Sequence, residues 1–206
     1  MSEQTPLVLG TEDIRKLLMR YAIPAIVAMT AASLYNMMDS IFIGHGVGPM
    51  AIAGLAVTFP FINLAAAFGS LVGVGASTLV SVKMGQRDLK SAEAVLGNVL
   101  LLNGVIGLVF MAICLIFLDP ILYFFGASAE TLPYARDYMK VILYGNLITH
   151  IYMGLNEVMR ASGYPQRAMA ATLFAVAING VLNALFIFVL DMGIQGAALG
   201  TICAQF

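Results

Sequence analysis

Asp39 stands near the end of the first apolar run of this chain, residues 21–43. A carboxylate at the centre of a membrane helix costs roughly 2.5–3.5 kcal/mol on insertion scales, so such groups usually face a cavity or a partner and mark an ion, proton or substrate path. Tyr35 and Asn36 lie four and three residues before it, on one side of a helix. Pro24, 15 residues upstream, removes a backbone donor and loosens the same helix. A bendable helix with a titratable group would make a switch. The plainer alternatives are a carboxylate hydrogen-bonded between helices and a static kink.

Two further runs carry polar residues at helical spacing. The fourth holds Asn146, Thr149, His150, Met153, Asn156 and Glu157, a stripe that one cavity-facing side would explain. His150 reads as a proton relay or a hydrogen-bonded structural histidine. Glu157 and Arg160, three apart, read as a local ion pair or a cytoplasmic gate contact. The fifth run places Asn179 and Asn183 four apart, on one face. With a hydroxyl such as Thr201 and a carboxylate, two amide oxygens would make an oxygen cage for a hard cation. Amides also pair helices, and the spacing fits either role.

Other chemistry finds little support. There is no Gly-x-Ser-x-Gly, no His-Glu-x-x-His and no metal-spaced Cys/His group, so an enzyme is not expected. Gly73 and Gly75 lack the third glycine of a nucleotide loop. Gly69 and Gly73 instead have the spacing of close helix contact. Cys114 and Cys203 read as small buried thiols. Basic patches with interleaved aromatics are missing, so nucleic acid is not an expected partner. The 13 Met and 12 Phe offer adaptable apolar surface.

The elements that must position these groups follow from composition. The chain is 61% hydrophobic and 10% charged, against about 25% charged in soluble domains. It reads as an all-α integral membrane protein in contact with lipid. Six runs approach span length, near residues 21–43, 52–82, 94–118, 134–159, 168–190 and 194–206, the last incomplete. Residues 1–20 read as a cytoplasmic amphipathic segment capped by Thr11, ahead of the lobe formed by 21–206. Between the third and fourth runs, residues 120–125 read as a short interfacial helix or an ordinary aromatic anchor.

Loop charge orients the chain. Arg15, Lys16, Arg20, Lys83, Arg87, Lys90, Arg160 and Arg167 fall at the N-terminus and on the loops after the second and fourth runs. Only Arg136 and Lys140 fall on the other side. This positive-inside bias puts the N-terminus in the cytoplasm and Asp39 in the outer half of a cell (inner) membrane.

Three stretches resemble the N-terminal half of the MATE (multidrug and toxic compound extrusion) family. They are Asp39-Ser-Ile-Phe-Ile-Gly44 continuing to Ala51-Ile-Ala-Gly-Leu-Ala56, then Gly75-Ala-Ser-Thr-Leu-Val-Ser81 with Met84-Gly-Gln-Arg-Asp88, then Asn156-Glu-Val-Met-Arg-Ala-Ser-Gly163 with Pro165 and Asn179. The resemblance implies the six-helix N-terminal lobe of a twelve-helix fold, its sixth helix truncated, with a C-terminal six-helix lobe as missing partner. It implies a multidrug antiporter exporting small organic, cationic compounds by alternating access, with H⁺ or Na⁺ as coupling ion and no other cofactor or metal. By position it implies coupling roles for Asp39, Tyr35, Asn156, Asn179 and Thr201, and helix bending at Pro24. Where many relatives place a second Asp, this chain has Asn183, which takes a charge from the cation cage and favours H⁺ over Na⁺. The alternatives are a flippase for lipid-linked or polysaccharide substrates, which would want cavity Arg and Lys that the spans lack, and a non-transporting membrane scaffold or channel subunit.

Overall fold

A computed structural model of the protein describes residues 13–206. The first helix, α1, spans Ile14–Gly46 and is capped by the Asp13 carboxylate, which accepts the Arg15 N–H at 3.2 Å. The expected cap at Thr11 lies outside the described residues. From Ile14 the basic segment is not a separate helix. It forms the first turns of α1, which at 33 residues is about 50 Å long and outreaches a hydrocarbon core of about 30 Å.

Gly48 stops α1 and turns the chain. Its φ of 118° is open to glycine and strained for other residues, and Pro49 then starts α2, Pro49–Gly85. Helix α3, Leu89–Ile116, is capped by Asp88, which accepts the Ser91 N–H at 3.1 Å. Ser91 donates from both its hydroxyl and its backbone, and this holds the exposed Asp88 carboxyl below the usual carboxylate range. Next comes a short helix, α4, Leu118–Phe124, where the sequence left open a helix or a plain anchor. Its Leu118 and Leu122 are buried while Tyr123 and Phe124 face outward, the division expected of an interfacial helix. Asp119 on α4 is gripped by Arg136 of the next helix, Nε donating to Oδ1 at 2.7 Å and Nη2 donating to Oδ2.

Helix α5, Leu132–Ala161, is the centre of the bundle and packs on α2, α3 and the two helices that follow. Those are α6, Pro165–Ala184, extended by a π-helical turn at Leu185–Val189, and α7, Gly193–Gln205. Among the described residues four helices are long and apolar enough to cross a membrane: α1, α2, α3, and α6 with its π turn. The sequence offered six runs. The 13-residue α7 is too short, and the polar stripe sets α5 apart from the four. Being ringed by other helices, α5 needs less apolar surface than a lipid-facing span.

Small residues let the helices close on α5. A Cβ on Gly73 would sit 2.9 Å from Gly154 Cα, and one on Gly54 would sit 2.8 Å from Tyr134 Cβ. One apolar core, built on Phe61, Leu122, Met139, Leu143, Ile187 and Ala197, fills the end of the bundle near α4. A smaller one joins Ala76, Val80, Val99 and Val158. Of the two cysteines Cys114 is buried as expected. Cys203 is not, because it lies on the outward side of α7.

Candidate functional site

Asp39 is only 5% exposed and faces α6. The Asn183 side-chain amide donates one hydrogen to Asp39 Oδ1 and the other to Asn179 Oδ1 at 2.9 Å. Thr201 on α7 donates its hydroxyl hydrogen to the Ala197 carbonyl at 3.1 Å, so its lone pairs are what its neighbours meet. Tyr35 Oη therefore donates to Thr201 Oγ1, at 2.7 Å, and Asn179 Nδ2 lies at 3.5 Å from the same oxygen. The four-residue spacings of Tyr35 with Asp39 and of Asn179 with Asn183 set both pairs on facing stripes of α1 and α6. Gly200 completes the join. A Cβ there would overlap Asn183 Oδ1, so only glycine lets α7 come this close.

The π turn lies directly beyond Asn183. It widens the helix and turns Ile187 onto Gly46 and Phe188 edge-on to Phe42, with ring centroids 5.8 Å apart. These contacts pin the end of α6 to the end of α1 and fix the axial offset that sets Asn183 opposite Asp39.

The group is short of positive charge. A carboxylate has about four acceptor positions, and Asp39 receives one N–H, from Asn183. No Lys, Arg or His pairs with it among the described residues. Asn183 Oδ1 is buried with no hydrogen-bond partner. The phenols of Tyr35 and Tyr138 lie within electrostatic reach of Asp39. A proton or a small cation arriving here would meet unspent acceptors. Beside the group a cavity of about 130 Å³ is lined by Ala32, Tyr35, Tyr152, Asn179, Thr201 and Gln205.

Tyr138 did not emerge from the sequence. Its signal was its place eleven residues, three helical turns, before Thr149 on α5. Of the two amides on α6, Asn183 and not Asn179 touches Asp39, and Asn179 acts through Asn183 and Thr201.

The remaining predicted residues lie apart. Asn156 donates to the Ala168 carbonyl and to Thr172 Oγ1, both at 3.4 Å, which ties α5 to α6 without reaching Asp39. Glu157 and Arg160 form a local pair at 3.6 Å. Pro24 is buried in α1, about 22 Å along the helix from Asp39, beside a cavity of about 630 Å³ with Ile23, Gln166 and Met169 in its wall. His150 belongs to another group altogether. The Ala65 carbonyl accepts from its Nε2 at 3.0 Å, so its Nδ1 accepts from Asn146 Nδ2 at 3.3 Å, and Asn146 also donates to the Gly107 carbonyl.

Comparison with known proteins agrees with this architecture. The model of the MatE family matches residues 24–185. The multidrug export protein MepA of Staphylococcus haemolyticus is 32% identical over 189 residues, covering 92% of this chain and 42% of MepA. A multidrug resistance MATE family transporter of the MOP superfamily, solved in an outward-facing conformation, superposes with a TM-score of 0.91 at 29% identity, over 100% of this chain and 45% of that one. A MATE chain solved in a bent conformation gives a TM-score of 0.88 at 30% identity, over 100% and 45%. The chain thus spans less than half the length of the relatives it matches.

Proposed function

The chain belongs to the MatE family, and from that footing we propose that it serves as the N-terminal lobe of a cation-coupled antiporter that exports amphipathic organic cations by alternating access. The observation that carries this reading is a buried carboxylate with a single N–H donor, set between α1 and α6. Such a group is costly at rest, and a cation relieves it. The charge of the loops supports a cytoplasmic N-terminus, which sets Asp39 toward the outer side.

The coupling ion is H⁺. A protonated Asp39 gains an O–H donor, and the acceptor beside it without a partner is Asn183 Oδ1. The acid and the amide then form a two-point pair: Asn183 N–H to one Asp39 oxygen, the new O–H to the Asn183 carbonyl. One proton satisfies both deficits. A bare Na⁺ would instead want five or six oxygens, and Asn183 brings no second charge to hold it. Neutralising Asp39 changes how α1 is held against α6, and α1 carries Pro24 at the far end of the same helix, where a missing hydrogen bond eases bending. Bending there would reshape the cavities against α6.

The test is efflux by the whole protein in proteoliposomes under an imposed pH gradient. Asp39→Asn is expected to cut pH-driven export at least about tenfold, with the variant folded and inserted. Full pH-driven export by Asp39→Asn would overturn the reading.

A further inference from the structure

A cleft of about 360 Å³ opens between the end of α3, the short helix α4 and the first turns of α5. Leu115, Ile116 and Pro120 form its apolar wall, and Asp119, Arg136 and Lys140 its polar one. Asp119 is already spent, since both its oxygens are held by Arg136. That grip uses two of the five guanidinium N–H groups and leaves three. Lys140 stands one turn further along α5, on the same face, exposed and without an anionic partner among the described residues. Side chains on a helix lean toward its N-terminus, so the Lys140 ammonium leans back to the level of Arg136. Asp137, next along α5, points about 100° around the helix from Arg136 and is not in the cleft lining, but its charge still reaches the Arg136 guanidinium. The residues that line the cleft therefore carry one net positive charge, which Asp137 at its edge offsets in part, and donors are left over at Arg136 and Lys140.

Its apolar side continues along α3, where Ile116 is 74% and Ile113 52% exposed. A ligand that matches both halves has an anionic head and a hydrocarbon tail. We infer that this cleft binds the phosphodiester of an anionic phospholipid at Lys140 and Arg136, with one acyl chain lying along Ile113 and Ile116. A free phosphate would leave the apolar wall unused. The amine of a zwitterionic headgroup would find Asp119 already taken. That the lipid belongs to the outer leaflet rests on the orientation proposed above, but the binding itself does not, and a detergent-based assay is blind to leaflet.

The experiment is native mass spectrometry of the whole protein, delipidated in detergent and titrated with phosphatidylglycerol, phosphatidylcholine or inorganic phosphate. Wild type is expected to retain phosphatidylglycerol over phosphatidylcholine, with inorganic phosphate at millimolar concentration failing to displace it. Lys140→Gln is expected to weaken phosphatidylglycerol binding about fivefold, the worth of one basic residue at an anionic lipid surface. Lys140→Arg should keep it, and Lys90→Gln, at the other end of the bundle, should leave it unchanged. Equal retention by Lys140→Gln and wild type would overturn the site. So would equal binding of the two lipids, and displacement by inorganic phosphate would reduce it to a free-anion site.

Discussion

Around His150, α2, α3 and α5 meet in a polar knot whose ring nitrogens are both used, one on the Ala65 carbonyl and one on the Asn146 amide. Two glycines clasp the ring: a Cβ on Gly69 would overlap it, and one on Gly107 would sit 2.9 Å from Nδ1. Around Asp39, where α1, α6 and α7 meet, the carboxylate receives one N–H among the described residues, with the Tyr35 phenol beside it, and the neighbouring Asn183 carbonyl has no partner. Both groups are buried and both join three helices. They differ in what is left unsatisfied. The first is complete, so any change to it costs packing and hydrogen bonds. The second leaves acceptors unmet, which a proton or cation would satisfy. Burial of a polar residue therefore does not by itself mark a functional group, nor does an unpaired amide atom, which Asn103 and Asn156 also have; what sets the second group apart is a buried carboxylate beside an unpaired acceptor.

The largest expected effect lies on the complete side. Gly69→Val would drive a branched side chain into the His150 ring, and overpacking of this kind costs about 1–3 kcal/mol or more. The thermal midpoint of the purified whole protein should fall by several degrees, with export lost in proportion to folded protein. An unchanged midpoint would mean that the knot is not tightly packed. Next comes Asn183→Asp, on the incomplete side. It adds a carboxylate beside Asp39 and removes the one N–H that Asp39 receives among the described residues. Two carboxylates in contact hold a cation more readily than one does. Export by this variant should become dependent on Na⁺, read as a several-fold stimulation by a sodium gradient at constant pH. Sodium-independent export would show that residue 183 does not select the ion.

How far these two groups could be told apart from sequence shows where such reading stops. The helices themselves were legible, because apolar runs punctuated by Gly48-Pro49 and by Gly163 with Pro165 leave few other choices. Asp39, Tyr35, Asn179, Asn183 and Thr201 were legible as one group. The stripe on α5 was not resolved. Tyr138, Thr149 and Asn156 occupy one face, while Asn146, His150 and Glu157 lie about 100° around the helix. Read as a single cavity face, they merge the two groups. Only the central position of α5, with α2 and α3 on one side and α6 and α7 on the other, separates them. The choice between Asn179 and Asn183 as the partner of Asp39 was also hidden. It depends on the axial offset of α6 against α1, which the π turn and the seat of Ile187 on Gly46 decide. Nothing in the 3.6-residue period encodes that offset.

A smaller effect is expected of His150→Gln. The glutamine amide can still donate to the Ala65 carbonyl but gives the Asn146 amide no ring nitrogen, so the cost is one hydrogen bond, about 1 kcal/mol. The pH midpoint of export should stay where it is in wild type. A shifted midpoint would place the proton at His150 and erase the contrast between the two groups.

The smallest effect belongs to a second carboxylate, Asp88, which serves as the exposed counterpart of Asp39. Asp88 lies outside the membrane-spanning part of the bundle and takes hydrogen bonds from the Ser91 hydroxyl and backbone N–H. These hold its carboxyl below the usual carboxylate range, so its folded-state pKa is lower than its unfolded one. The cap it provides is therefore complete above the ordinary carboxylate pKa and is lost as pH falls through the lower, folded value. Acidification into that range should speed hydrogen exchange in the first turn of α3, and Asp88→Asn, which keeps an acceptor but no charge, should remove that pH dependence while leaving the cap in place. Export across the same range should not follow this local change. If Asp88→Asn instead shifted the pH profile of export, then an exposed, well-satisfied carboxylate would be contributing to coupling, and a buried carboxylate short of donors would no longer be what singles out Asp39.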